Sequence, residues 1–90
     1  MKRLIVVACC LLSTSAACND RKDADTYFNR GNAWVKKGQW DMAFTDFNEA
    51  IRLDPKYAQA YANRAIVYRK MGNHAKAALD EQKAKQLMTL

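Results

Sequence analysis

The sequence contains few residues that interrupt helices, with one proline and three glycines in 90 residues. Its three cysteines all lie within the first eighteen residues, so the rest of the chain offers neither a disulfide framework nor a cysteine metal site. The only histidine is His74, and both serines, Ser13 and Ser15, belong to the N-terminal segment. We find no phosphate-binding loop and no carboxylate pair beside a candidate nucleophile or base. We therefore predict no catalytic residues, no cofactor and no metal site, and we do not expect an enzyme.

The chain also lacks a dense run of one charge. Fifteen basic and nine acidic residues give a formal net charge of +6, and two of the basic residues are Lys2 and Arg3. This excess is too small and too dispersed for nucleic-acid binding, where clustered phosphate contacts carry the affinity. It suits an acidic protein partner or an anionic membrane surface.

The N-terminal segment has the pattern of an export signal. Lys2 and Arg3 precede nine apolar residues at 4–12, and small residues follow at 13–17. As a helix, nine residues would reach about 13 Å, less than half of a bilayer core, so a permanent transmembrane anchor is disfavoured. We predict that residues 1–17 direct export from a bacterial cytoplasm and are then removed.

The position of cleavage decides how the exported chain is held. Ser15 to Ala17 suit an ordinary signal peptidase, which would release a soluble periplasmic or secreted protein. The same stretch followed by Cys18 resembles a bacterial lipobox, in which the cysteine thiol is lipidated and anchors the chain to the membrane. Residues 18–23 would then form a polar tether. Both outcomes stay open at this point.

An internal repeat covers the remainder of the chain. Residues 24–53 align with residues 58–87 at an offset of 34 without gaps. Each copy is predicted to form two helices, at 24–37 and 40–53 in the first and at 58–71 and 74–88 in the second. Gly38 and Gly72 end the first helix of each copy, and Pro55 separates the copies. Ten aligned pairs are identical: Ala24/Ala58, Tyr27/Tyr61, Asn29/Asn63, Arg30/Arg64, Lys36/Lys70, Gly38/Gly72, Ala43/Ala77, Asp46/Asp80, Ala50/Ala84 and Leu53/Leu87.

This pattern resembles the tetratricopeptide repeat, a family built of 34-residue helix pairs. The first copy carries the resemblance on Tyr27, Gly31, Trp34, Gly38, Trp40, Ala43, Phe47, Ala50 and Pro55, and the second on Tyr61, Ala65, Tyr68, Gly72, Ala77 and Ala84. The resemblance implies an all-α fold of two helix-turn-helix repeats, at 24–57 and 58–90. Their four antiparallel helices would form a short right-handed α-solenoid.

The second copy departs from the family pattern in its last helix. Apolar residues of the first copy become polar at four aligned positions, which are Trp40/His74, Met42/Lys76, Phe47/Glu81 and Ile51/Lys85. The last helix of a solenoid needs no apolar face towards a following repeat. We therefore expect the second copy to act as a solvated cap that ends the array.

The resemblance also implies a function, because members of the family bind partner segments in the groove lined by the first helix of each repeat. The groove residues that it implies here are Phe28, Asn29, Asn32, Lys36, Asn63, Ile66, Arg69 and Lys70. Their amides and cations suit an extended protein segment that is acidic. Two alternatives remain open: these residues form only a solvated helix face, or exposed aromatic residues pack a second copy of the chain into a homo-oligomer.

Overall fold

The structure is a computed structural model that describes residues 21–89. The predictions for the N-terminal segment, including removal of residues 1–17 and lipidation at Cys18, lie outside the described residues. Within that range the chain forms four helices: α1 over residues 21–36, α2 at Trp40–Leu53, α3 at Ala58–Lys70 and α4 at His74–Met88. The described part contains no strand, which confirms the predicted all-α fold.

The helix bounds agree closely with the predicted ones. Those of α2 and α4 are as predicted, whereas α3 ends one residue early, at Lys70. Helix α1 is already present at residue 21, so residues 21–23 belong to it although the sequence assigned them to the polar tether. Arg21 explains the difference, because it pairs with Asp25 one turn later and donates to Asp54 across a 2.6 Å bond.

Two glycines close the turns inside the repeats in the same way. Gly38 and Gly72 have φ angles of 74° and 85°, which residues with side chains adopt only at a cost. The Gly38 amide donates to Val35, and the next amide, of Gln39, donates to Trp34. The Gly72 turn repeats both bonds at the same spacing, which is the Schellman pattern of a helix C-terminus. Helices joined by such short turns pack antiparallel.

The repeats are joined at Asp54 and Pro55. The Asp54 amide still donates to Ala50, while its carbonyl accepts from the Tyr57 amide and its carboxylate accepts from the Lys56 amide. Proline has no amide to donate and disfavours helical geometry in the residue before it. The chain therefore leaves α2 at this point and starts α3 at Ala58.

The interior is built largely from alanines with a few large side chains between them. Ala43, Phe47 and Val67 form one buried cluster, and Ala24, Ala50, Tyr57 and Ala60 form another. Small residues let the helices approach closely. Gly31 is the extreme case, because a Cβ atom there would lie 2.6 Å from Cε1 of the fully buried Phe47. At the aligned position of the second repeat, Ala65 fits because Glu81 replaces the phenylalanine.

Candidate functional site

An amide pair joins the first helix of each repeat. Asn63 on α3 donates from Nδ2 to Oδ1 of Asn32 on α1, at 2.6 Å. Asn29 lies one turn before Asn32, and Ile66 and Arg69 follow Asn63 at intervals of three, so all five residues share one face of the two helices. This surface is called the α1–α3 face below.

The amide pair leaves hydrogen-bonding groups available. Among the described residues, the amino group of Asn32 and the side-chain oxygen of Asn63 have no hydrogen-bond partner, and both residues are partly exposed. A peptide group offers the complementary acceptor and donor. Ile66 adds an apolar contact beside the pair, with 46% of its surface exposed. The face can thus hold both the backbone and an apolar side chain of a partner segment.

Charge lies at the α4 side of this face. Arg69 donates to both carboxylate oxygens of Glu81 on α4, with a distance of 2.6 Å from Nη2 to Oε1. These hydrogen bonds lower the pKa of Glu81 below its ordinary value and raise that of Arg69. Because the pair is exposed, it can exchange partners with a charged ligand at little cost.

The structure does not bring all the predicted groove residues together. The ring of Phe28 packs inside the fold, with its centroid 4.8 Å from that of Tyr57 and 5.9 Å from that of Phe47. Lys70 lies over the Trp40 ring at 5.6 Å, whereas Lys36 and Asn29 are exposed. The predicted binding roles of these residues stay predictions, but Phe28 also has a packing role that the sequence did not reveal.

The exposed aromatics that a homo-oligomer would use are largely engaged within the chain. Arg30 covers Tyr27 at 5.2 Å from guanidinium to ring centroid, and Lys70 covers Trp40. Together with the packing of Phe28, these contacts engage all three rings within the chain. Homo-oligomerisation therefore gains no support from these rings.

Repeated ion pairs were missed by the sequence-based reading. Arg30 on α1 holds Asp46 on α2 through two bonds of 2.8 Å, and Arg64 holds Asp80 in the second repeat through bonds of 2.7 and 2.8 Å. Both members are identical in the two copies and lie 16 residues apart. Their identity and shared spacing were the sequence signal that could have predicted the two ion pairs.

The second pair also connects the repeats. Arg64 donates from Nη1 to Asn48 on α2 at 2.9 Å, and its guanidinium lies 5.5 Å from the Tyr61 ring and 5.6 Å from the Tyr68 ring. The bond to Asp80 raises the pKa of Arg64 above its ordinary value. One side chain thereby fixes α2, α3 and α4 together, which holds the α1–α3 face in a defined geometry.

The described residues contain neither a candidate metal cluster nor a helix that could span a membrane. Within residues 21–89, no group of three or more His, Cys, Asp or Glu side chains could hold a metal ion. No helix in that range is long and apolar enough to cross a bilayer.

Helix pairs that recur every 34 residues, with the same turns and the same internal ion pair, define a helical-repeat protein. Comparison with family models identifies the kind of repeat. A "TPR repeat" model matches residues 31–72, and a "Tetratricopeptide repeat" model matches residues 58–87. Residues 31–87 of this chain are therefore tetratricopeptide repeats.

Curated relatives agree with this assignment. The chain is 38% identical over 68 residues to the Hsp70-Hsp90 organizing protein of Triticum aestivum, and 31% identical over 67 residues to DnaJ homolog subfamily C member 7 of Homo sapiens. The matches cover 76% and 74% of this chain but only 12% and 14% of those proteins. The chain thus corresponds to a small part of the length of these relatives.

Solved structures agree in fold. The crystal structure of MamA superposes with a TM-score of 0.70 at 24% identity, over 73% of this chain and 39% of that one. A point mutant of MamA gives 0.68 at 30% identity, over 71% and 47%. The fold is that of a tetratricopeptide solenoid, and these repeats make up a protein–protein interaction module.

Proposed function

We propose that this chain is an exported interaction module of the bacterial cell envelope, which binds a segment of a partner protein across the α1–α3 face. The main observation that supports this proposal is the hydrogen-bonded Asn32–Asn63 pair. It presents one donor group and one acceptor to solvent beside the exposed side chain of Ile66. That combination matches one peptide group and one apolar side chain of an extended segment.

The relatives support the general function without supplying a partner. One is named for organising Hsp70 and Hsp90, so its repeats belong to a protein that brings other proteins together. The clamp that some chaperone-binding repeats use for a terminal carboxylate has a lysine where this chain has Phe28. Since Phe28 packs against Tyr57 and Phe47, we propose a different ligand for this face.

Co-purification from cells, after crosslinking the intact exported protein, tests the binding face. The double variant N32A/N63A removes the amide pair and should lower recovery of the partner about tenfold, since buried interface hydrogen bonds contribute roughly 0.5–1.5 kcal/mol each. Lys83→Ala, an exposed change on α4, is the matched control and should leave recovery unchanged. Equal recovery with both variants, at equal helicity by circular dichroism, would move the site away from this face.

Light scattering of the purified chain addresses the alternative of self-association. A monomer whose mass is independent of concentration removes it. A stable dimer that no longer captures the partner would replace the proposed function.

The envelope location rests on the pattern of residues 1–18, with two charges, an apolar run and a cysteine. Mass spectrometry of the N-terminus of the intact protein tests it. A lipidated Cys18 at the new N-terminus indicates a membrane-anchored lipoprotein, and an unmodified cut after Ala17 indicates a released protein. A chain that retains Met1 would contradict export with cleavage.

A further inference from the structure

A cavity lies between α3 and α4 at the far end of the repeat pair. Its volume is about 240 Å³, and it is lined by Ala62, Glu81, Ala84, Lys85 and Met88. A second cavity, of about 510 Å³, shares Met88 and is otherwise lined by Arg21, Lys56, Tyr57, Ala58 and Gln59. The shared methionine makes the two cavities neighbours.

The 34-residue offset shows what kind of side chain such a place accommodates. The five lining residues align with Phe28, Phe47, Ala50, Ile51 and Asp54 of the first repeat. There the Tyr57 ring packs on Phe28 and shares a buried cluster with Ala50, against which Ile51 also packs. The Tyr57 amide donates to the Asp54 carbonyl. The first repeat therefore uses this location to hold a tyrosine.

The second repeat has more room at the same location. Ala62 stands where Phe28 supplies a ring, so the space beside Ala84 is wider than that beside Ala50. A cavity of about 150 Å³ in another protein binds benzene. At about 240 Å³, this one has the size for an aromatic side chain.

A partner for a phenolic hydroxyl is also present. In the first repeat, Tyr57 donates its hydroxyl proton to Oδ1 of Asp25 at 2.6 Å. Asp25 aligns with Gln59, whose amide oxygen is an acceptor and which lines the adjoining cavity. A tyrosine ring in the smaller cavity can thus direct its hydroxyl to Gln59, which phenylalanine cannot do.

The charge around the cavities favours an acidic neighbour to that ring. Lys56 and Lys85 line the two cavities, and the ammonium group of neither forms an ion pair within 4 Å in the described part of the chain, although, after the Arg69 hydrogen bond, the Lys85 charge helps to lower the pKa of Glu81. Glu81 is already held by Arg69. A second copy of this chain, docked as if it were the next repeat, would place its Asp23 in the cavity, because Asp23 aligns with Tyr57. Aspartate has no ring to fill the space, so a different partner fits better.

We propose that the two cavities, together called the tyrosine socket, bind a tyrosine side chain flanked by acidic residues in a partner protein. The proposal rests on the proposed function, because the socket lies one turn from Ile66 on α3 and extends the α1–α3 face towards α4. It names the anchor residue of the partner segment.

The test is a methyl NMR titration of the full chain, labelled at alanine and methionine methyl groups. The probe is the blocked tripeptide Glu-Tyr-Glu, compared with Glu-Phe-Glu and Glu-Ala-Glu. The tyrosine peptide should shift the methyl signals of Ala62, Ala84 and Met88 saturably. The phenylalanine peptide should bind about fivefold more weakly, as expected for one lost hydrogen bond, and the alanine peptide should give no saturable shift.

Variants locate the binding. Ala62→Phe restores the ring of the first repeat and should abolish the saturable shifts of Ala84 and Met88. Gln59→Ala should remove the preference for tyrosine over phenylalanine. Lys85→Glu, an exposed change that tests the socket even where Ala62→Phe reduces helicity, should weaken Glu-Tyr-Glu binding and strengthen that of Lys-Tyr-Lys. Shifts that are absent, or that persist unchanged in Ala62→Phe and Lys85→Glu, would overturn the socket.

The N32A/N63A variant separates the two proposals. It should bind the tripeptide as the unmodified chain does while it loses the partner. If the tripeptide fails to bind but N32A/N63A still loses the partner, the socket is wrong and the α1–α3 face stands. If the tripeptide binds the socket but N32A/N63A retains the partner, the α1–α3 face is wrong and the aromatic anchor stands alone.

Discussion

The two arginine–aspartate pairs provide an internal comparison of the same interaction in two environments. Both use two hydrogen bonds of 2.7–2.8 Å to an aspartate that is almost fully buried. The arginines differ, because the Arg30 side chain is 57% exposed whereas that of Arg64 is 19% exposed. Replacing each aspartate by alanine tests whether burial of the remaining cation sets the cost.

The expected loss in the free energy of unfolding is larger for Asp80→Ala than for Asp46→Ala. Breaking a buried pair costs about 3–5 kcal/mol when the remaining charge stays buried. Arg64 is partly exposed and keeps its bond to Asn48, so we expect about 2–3 kcal/mol, or roughly 10–20 °C in melting temperature for a domain of this size. In Asp46→Ala the remaining Arg30 turns into water, so the loss should be clearly smaller.

Urea unfolding of the full chain, followed by circular dichroism at 222 nm, measures both variants. Glu81→Gln breaks the exposed Arg69–Glu81 pair and is the control, with a shift close to zero. Equal losses in Asp80→Ala and Asp46→Ala would refute the reasoning, because burial of the arginine would then not matter.

Two further predictions concern packing and pH. Gly31→Ala gains about 1 kcal/mol in helix propensity but drives a methyl group into Phe47, which costs about 1–3 kcal/mol. Thermal unfolding should therefore show a net loss of stability, and Phe47→Leu should relieve it. A Gly31→Ala chain that is more stable than the unmodified chain would contradict the clash. Burial, and then the bond to Asp25, raise the pKa of Tyr57 to about 12. The folding stability that this raised pKa contributes is complete below the unfolded pKa of 10 and is lost as the pH rises to 12, so up to about 2–3 kcal/mol of stability disappears. In urea titrations, Tyr57→Phe should gain that amount relative to the unmodified chain between pH 9 and 12, and a constant difference would contradict the raised pKa.

Most of the fold could be read from the sequence because its signals are local. Gly38 and Gly72 mark turns that only residues tolerant of positive φ make cheaply, and Pro55 marks the break between repeats. The start of α1 was predicted too late. Arg21 pairs with Asp25 one turn later and with Asp54, 33 residues away, and no local pattern shows the second contact.

Less of the candidate site could be predicted from the sequence, because its details depend on contacts between helices. The family resemblance implied that Asn32 and Asn63 line one groove, but it could not show that their side chains bond to each other. Phe28 is predicted to line the groove, and the sequence did not show that its ring also packs against Tyr57. The cavity beside Ala62 follows from the loss of that ring in the second repeat, which becomes meaningful only once the surroundings of Tyr57 are known.

The contacts between the repeats also decide how this chain could be lengthened by protein engineering. The first repeat contributes the Phe28 ring and two hydrogen-bond acceptors, Asn32 and Asn48, which we call the acceptor set. The second repeat contributes two donors, Asn63 and Arg64, which we call the donor set. A duplicated segment 24–57 carries the acceptor set and, in Asn29 and Arg30, the equivalents of the donor set. Extra copies inserted between the two repeats should therefore interlock on both sides. Copies of the second repeat, which has Ala62 and Ile66 in place of Phe28 and Asn32, should not.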